Sequence, residues 1–363
     1  MKIASIVGAR PQFIKLASLS RELRRHQREV LIDTGQHYDE EMAGIFFSEL
    51  KIPKPDHSLE IGSGEHGEQT GKMLIALEKA LMTEKPDLVV VFGDTNSTLA
   101  GALSAAKMNI PVAHVEAGLR SYDRRMPEEI NRVLTDHIST LLFCPTDASK
   151  QNLKREGITE GVHVVGDVMV DALGESKKAA EHHSKILEDL GLEPKKYQFM
   201  TIHRPSNVDN RGILESLLTT ISGSKETTVF SVHPRTAKML HEFGLDKNMP
   251  NNIVATKPVG HMDAIWLVAN ASRVLTDSGG LQKEAYLLGT PCITLRDTTE
   301  WIETINAKWN VLTDTDPKKI LAAIRGFEPP KYRPKIFGPE GASGRIAAVI
   351  DKFLSGLSAQ DRT

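Results

Sequence analysis

The chain has 363 residues, more than one hydrophobic core usually organises, so two domains of ordinary size are expected. Hydrophobic residues at 40% and charged residues at 25% suit a globular protein in water, and 45 basic against 47 acidic residues leave a net charge of −2 that recruits neither nucleic acid nor an anionic membrane. The two cysteines, Cys144 and Cys292, stand far apart in apolar sequence, which points to reduced, packed thiols in a reducing compartment and away from a disulfide framework or a metal site.

Short apolar runs alternate with longer helix-like segments along the whole chain, the pattern of parallel sheets covered by helices. The first run, Met1–Val7, stops at Gly8-Ala9-Arg10-Pro11 and is too brief for a signal segment or a spanning helix, so it reads as a buried strand. Strands are expected at 29–34, 88–92, 111–115, 141–144 and 162–165, with helices at 12–25, 66–82, 96–108 and 128–140 between them. Residues 171–196, rich in Lys, Glu and Ala, form a helical bridge and then a loop, and the domain boundary is placed there, giving domains 1–170 and 171–342. The second half carries strands near 198–202, 227–232, 253–255, 273–276, 291–295 and 310–312. After the proline-rich bend Glu328–Pro334, an amphipathic helix is expected over 343–358. No run of about 18 apolar residues occurs, so a soluble, cytoplasmic protein is expected. The fold class implied is α/β, with two doubly wound, Rossmann-like domains facing each other across a cleft.

Two strands of the first half end abruptly on a carboxylate: Leu88–Phe92 runs into Gly93-Asp94-Thr95, and Ile110–Val115 into Glu116-Ala117-Gly118. In parallel α/β sheets ligands sit beyond the carboxyl ends of the strands, so these acids are candidates for proton transfer. The plainer role for Asp94 is an N-cap of the following helix, which leaves Glu116 unexplained. Arg120, Glu128, Glu129 and Arg132 crowd the same region and read as a salt-bridge lattice around one functional carboxylate. Arg10 and Lys15, at the start of the first helix, either hold an anion or are the solvated cations of an ordinary turn. The three-glycine dinucleotide fingerprint is absent.

The second half offers the complement. Asp277-Ser278-Gly279-Gly280 joins a strand to a helix, a turn whose backbone N–H groups can hold phosphate. His203-Arg204 and His233-Pro234-Arg235 each follow a strand, and two such pairs favour ligand contact over packed histidines. Arg296–Glu300 adds a loop at the same rim, with Glu300 either a ribose acceptor or a helix N-terminal charge. No Cys or His spacing suits a metal.

The words GARPQFIK (8–15), TGQHYD (34–39), GDTNSTLAGAL (93–103), HVEAGLRS (114–121), MPEEINR (126–132), HR (203–204), HPR (233–235), TDSGGLQKEA (276–285) and RDTTEW (296–301) together closely resemble the non-hydrolysing UDP-N-acetylglucosamine 2-epimerases. The resemblance implies the two-domain GT-B fold, a C-terminal helix crossing back to the first domain, a homodimer, a UDP-sugar substrate and no metal or nicotinamide cofactor. It implies Asp94, Glu116 and Glu128 as the acid/base set and His203 as a helper at the leaving phosphate. Arg10, His233, Ser278, Gly279, Gly280 and Glu284 would hold UDP, with Lys15, Arg132, Arg235 and Arg296 as further cations of the binding region. The family's activator site would fall at Gln36, His37 and Gln69, with Lys72 where an arginine is usual. Departures at GARPQFIK and at Thr299-Glu300-Trp301-Ile302-Glu303 resemble instead the branch acting on UDP-2,3-diacetamido-2,3-dideoxyglucuronate. A GT-B glycosyltransferase and a catalytically silent nucleotide-sugar binder are the readings from other classes.

Overall fold

The computed structural model describes residues 1–36, 47 and 50–360. The chain divides into two compact units, the first made of Met1–Ala172 and Phe337–Thr363, the second of Leu173–Ile336.

The first unit is built on a seven-stranded parallel sheet of β1 (Lys2–Val7), β2 (Arg28–Asp33), β3 (His57–Ser58), β4 (Leu88–Phe92), β5 (Val112–Val115), β6 (Leu141–Cys144) and β7 (Val162–Val164), in the order β3-β2-β1-β4-β5-β6-β7. A strand buried on both faces must be apolar throughout, and Leu88–Phe92 is, every one of its residues being closed to solvent. Helices His66–Glu84 and Asn96–Lys107 cover one face, burying Met73, Leu77, Ala100 and Ala105 against Ile6, Ile32, Val89 and Val91. The order reverses between β1 and β4, which opens a crevice at their carboxyl ends. The short edge strand β3 escaped sequence reading because two residues carry no periodicity.

The helix Ala342–Gln360 packs on Arg10–Leu23, where Ser343 Oγ lies 2.9 Å from Ser18 Oγ and Gln27 Nε2 donates to Asp351 Oδ1 at 2.7 Å. Its approach is pinned by Asp171, whose carboxylate accepts the N–H groups of Gly341 (2.6 Å) and Ser343 (2.9 Å), and by Arg345, which donates to the Val165 carbonyl at 2.8 Å.

The second unit repeats the plan with six parallel strands, β8 (Tyr197–Thr201), β9 (Thr227–Ser231), β10 (Ile253–Thr256), β11 (Val274–Thr276), β12 (Cys292–Thr294) and β13 (Asn310–Leu312), ordered β10-β9-β8-β11-β12-β13. Its reversal lies between β8 and β11. Met200, Phe230, Leu275 and Ile293 of the sheet pack with Leu214, Leu217 and Ile221 of the helix Arg211–Ser222 and with Ile320 and Ile324 of Pro317–Gly326. The expected α/β class is thus borne out as two parallel, helix-covered sheets. Among the described residues no helix is long and apolar enough to cross a membrane.

Leu77 and Ile75 share one helix, yet Leu77 is closed to solvent and Ile75 is 62% exposed. Leu77→Ala is expected to destabilise the first unit by about 2–5 kcal/mol and Ile75→Ala by less than about 0.5 kcal/mol, as read from urea unfolding of the two variants.

Candidate active site

In the first unit the acids sit on neighbouring turns, because β4 pairs with β5 through Val89↔Val112 to Phe92↔Val115 and each strand ends just before its carboxylate. Thr95, not Asp94, caps the helix Asn96–Lys107, its hydroxyl accepting the Thr98 N–H, so capping does not account for Asp94. Arg132 donates to Asp94 Oδ2 from Nε (3.0 Å) and Nη2 (2.8 Å). Glu116 has φ of +76°, a left-handed backbone that costs a β-carbon-bearing residue on the order of 1–3 kcal/mol and is found where a site demands it. Its carboxylate is in direct contact with the Lys15 ammonium, both side chains being about nine-tenths buried. Gly93 lies between them: with φ of +65°, a β-carbon there would meet Lys15 Nζ at 3.0 Å and Glu116 Oε2 at 3.4 Å.

The paired acids of the next helix, Pro127–Ile138, have opposite fates. Glu129 is buried, accepting the N–H groups of Ser121 (2.8 Å) and Tyr122 (3.0 Å) and a bond from Arg132 Nη1 (2.7 Å). Burial alone would raise its carboxyl, but these donors outweigh it and hold it below the usual range. Glu128 stands exposed one residue earlier, in the first turn of the helix. Arg120 leaves this group altogether, bridging Asp136 (2.7 Å) and Glu156 (2.7 Å).

Arg10 is exposed at the first turn of its helix. The turn before it is stapled by Gln12, whose Oε1 accepts the N–H groups of Gly8 (2.8 Å) and Ala9 (3.0 Å) while Nε2 donates to the Phe92 carbonyl at 2.9 Å. Gln36 Oε1 accepts from Ser97 N (3.0 Å) and Oγ (2.7 Å), and Gln69 bridges the Gly62 carbonyl (2.7 Å) and Asn96 Nδ2 (2.8 Å), so both amides brace loops of the first unit. Lys72 is exposed and paired with Glu68 at 2.6 Å; His37 lies outside the described residues.

In the second unit the loop after β8 and the turn after β11 are joined by Asp277, which is closed to solvent. Its carboxylate accepts the N–H groups of His203 and Arg204, each at 3.0 Å, and the Asn207 amide at 3.0 Å. The same carboxylate lies 3.4 Å from His203 Nδ1. Burial pushes the His203 imidazole below its ordinary range, Asp277 opposing and Arg204 and Arg235 adding to the shift. His233 stacks on His203 with ring centroids 5.0 Å apart and caps the following helix by accepting the Arg235 N–H. Arg235 itself is exposed and clasps Asp209 at 3.0 and 2.5 Å.

Ser278 caps the helix Gly279–Leu288, with Gly280 exposed and Glu284 partly buried one turn on. A β-carbon at Gly279 would lie 1.7 Å from Glu300 Oε1, so glycine is what lets the Glu300 loop close over this helix start. Arg296 holds Glu300 at 2.9 Å, Thr299 donates to Gln282 Oε1 at 2.6 Å and Trp301 Nε1 to the Gly279 carbonyl at 2.8 Å. Asp94 with Arg132 and Glu116 with Lys15 are therefore brought together in one unit, and His203, His233, Ser278 and Gly279 in the other. Sequence reading missed the supporting Gln12, His114, Asp136 and Asp277; the one available signal was His114, a polar residue inside an apolar strand.

A family model described as UDP-N-acetylglucosamine 2-epimerase matches residues 21–351. A UDP-N-acetylglucosamine 2-epimerase homolog of Methanococcus maripaludis is 53% identical over 357 residues, covering 96% of this chain and 99% of its own. The UDP-2,3-diacetamido-2,3-dideoxy-D-glucuronate 2-epimerase of Pseudomonas aeruginosa is 42% identical, covering 97% of this chain and 100% of its own. The crystal structure of the Methanocaldococcus jannaschii UDP-GlcNAc 2-epimerase in complex with UDP-GlcNAc and UDP superposes with a TM-score of 0.90 at 47% identity, covering 97% of this chain and 100% of that one. Match of model, sequence and fold over nearly the whole length makes this chain an isomerase belonging to the UDP-N-acetylglucosamine 2-epimerase family.

Proposed function

We propose that the protein interconverts UDP-N-acetylglucosamine and its C2 epimer by eliminating UDP and adding it back. The observation that carries this reading is the placement of Asp94 and Glu116 on turns after two paired strands, each carboxylate with its own cation, Arg132 and Lys15. The C2 proton is weakly acidic, so a free carbanion is avoided if the C2–H and C1–O bonds are cleaved together. One carboxylate accepts the C2 proton, the C2–H electrons form the C1–C2 double bond of a 2-acetamidoglucal, and the C1–O electrons leave with UDP. Return runs in reverse on the other face: an acid protonates C2 and a β-phosphate oxygen bonds to C1. Two acid/base groups are needed, and Asp94, Glu116 and the exposed Glu128 supply the set.

The leaving diphosphate needs donors that gain strength as charge develops. Ser278, Gly279 and Gly280 at the start of a helix, Arg10 at the start of another, and His203 beside His233 are the groups proposed to hold UDP, with Glu284 on the ribose. Arg296 serves by holding Glu300 against Gly279. A second sugar, the UDP-2,3-diacetamido-2,3-dideoxyglucuronate, is favoured by one observation, the likeness at 42% identity to an enzyme named for it. The ratio of kcat/KM for the two UDP-sugars decides between them: a value at least about tenfold higher for the uronate displaces the simpler substrate.

In heavy water the epimerised product is expected to carry deuterium at C2 by proton NMR; unlabelled product excludes the mechanism. Asp94→Asn and Glu116→Gln are each expected to lower kcat by about 10²–10⁴-fold with KM changed only a few-fold in steady-state assays. Gly279→Ala, which drives a methyl group into Glu300, is expected to weaken UDP binding by about tenfold in calorimetry.

A further inference from the structure

His114 lies on β5 two residues before Glu116 and is closed to solvent. Its Nε2 stands 2.7 Å from the carbonyl oxygen of Gly93, the residue before Asp94; a carbonyl only accepts, so Nε2 carries the hydrogen. On the other side of the ring Nδ1 stands 2.7 Å from Asp136 Oδ1. The second oxygen of Asp136 accepts the Gly118 N–H at 3.1 Å, two residues beyond Glu116, and Arg120 Nη1 at 2.7 Å. A continuous line of hydrogen bonds thus runs from the backbone of one acid-bearing turn to the backbone of the other through only two side chains.

We infer that the buried His114–Asp136 pair is a positioning device for the reaction, tying the Gly93-Asp94 turn to the Glu116–Gly118 turn and fixing the spacing of the two carboxylates. This rests on the acid roles proposed above for Asp94 and Glu116. A polar pair in a core is no more stabilising than a well-packed apolar one, so its worth lies in where its bonds end. Here they end on backbone rather than in a closed side-chain knot. Both turns need such support, since Gly93 and Glu116 have left-handed backbones and the β-carbon position of Gly93 is already crowded by Lys15. Arg120, held by Glu156 at 2.7 and 2.8 Å, anchors the far end of the line. Loss of the pair leaves the carboxylates in place chemically but misplaced geometrically.

The test compares His114→Leu, His114→Gln and Asp136→Asn with wild type in the full chain, using UDP-N-acetylglucosamine in heavy water, thermal unfolding to verify the fold, and Asp94→Asn as control. His114→Leu is expected to lower kcat by about 100-fold with KM within about threefold, and to alter the ratio of C2 deuterium in recovered substrate to epimer formed, a ratio that mere loss of stability leaves alone. His114→Gln keeps a donor for the Gly93 carbonyl and is expected to recover kcat to within about tenfold of wild type. Asp136→Asn, which preserves shape, is expected to lose at least about tenfold in kcat and decides the matter if His114→Leu does not fold. A folded His114→Leu or Asp136→Asn protein with wild-type kcat and exchange ratio, or a His114→Gln protein no better than His114→Leu, overturns the inference while leaving the acid roles standing. Full activity in Asp94→Asn overturns those roles themselves.

Discussion

Carboxylates gathered at one edge of a sheet repel one another, and the first unit holds them there by interleaving cations. Two unit charges about 4 Å apart interact by about 4 kcal/mol at the effective dielectric of a protein surface, enough to splay a loop that lacked compensation. Arg132 stands between Asp94 and Glu129, Lys15 meets Glu116, and Arg120 stands between Asp136 and Glu156. Lys15 and Arg132 come from helices and the two strand-end acids from turns, so the helices arriving on the sheet decide where those turns come to rest, while Arg120 reaches out from the loop after β5. Arg132 is the clearest case: its guanidinium spends one nitrogen on the structural Glu129 and two on the functional candidate Asp94.

The second unit meets a similar need with neutral donors. Asp277 is as buried as Asp136, yet among the described residues its carboxylate accepts two backbone N–H groups and an amide, with the His203 imidazole 3.4 Å away. At the same rim Arg235 is engaged by exposed Asp209 and Arg296 by Glu300. The helix start proposed to take phosphate lies here, with Gly279 leaving room for the Glu300 side chain.

The parallel strands were legible because an apolar run that stops dead on Gly-Asp or on Glu-Ala-Gly has few other structural meanings, and β4 and β5 lie where those runs predicted. The sorting of Glu128 from Glu129 was not legible. Adjacent helical residues point about 100° apart, and which one turns inward depends on the loop Ser121–Tyr122 that supplies its donors, a contact between segments that no local pattern encodes. Asp94 looked equally suited to capping, and only the placement of Thr95 one residue later removed that alternative. Gln12 and Asp277 sat within recognisable words of the sequence, but their work is to bind backbone far along the chain, to Phe92 in one case and to His203 in the other.

The first unit is discontinuous in sequence. Its helix Arg10–Leu23 is synthesised before the whole of the second unit, and the helix that seals it, Ala342–Gln360, only after that unit. Domains usually mature in order of synthesis. Here the acid-bearing half must wait, one flank uncovered, until the intervening half has been made, so its exposure to proteases and to aggregation during translation spans the synthesis of that half.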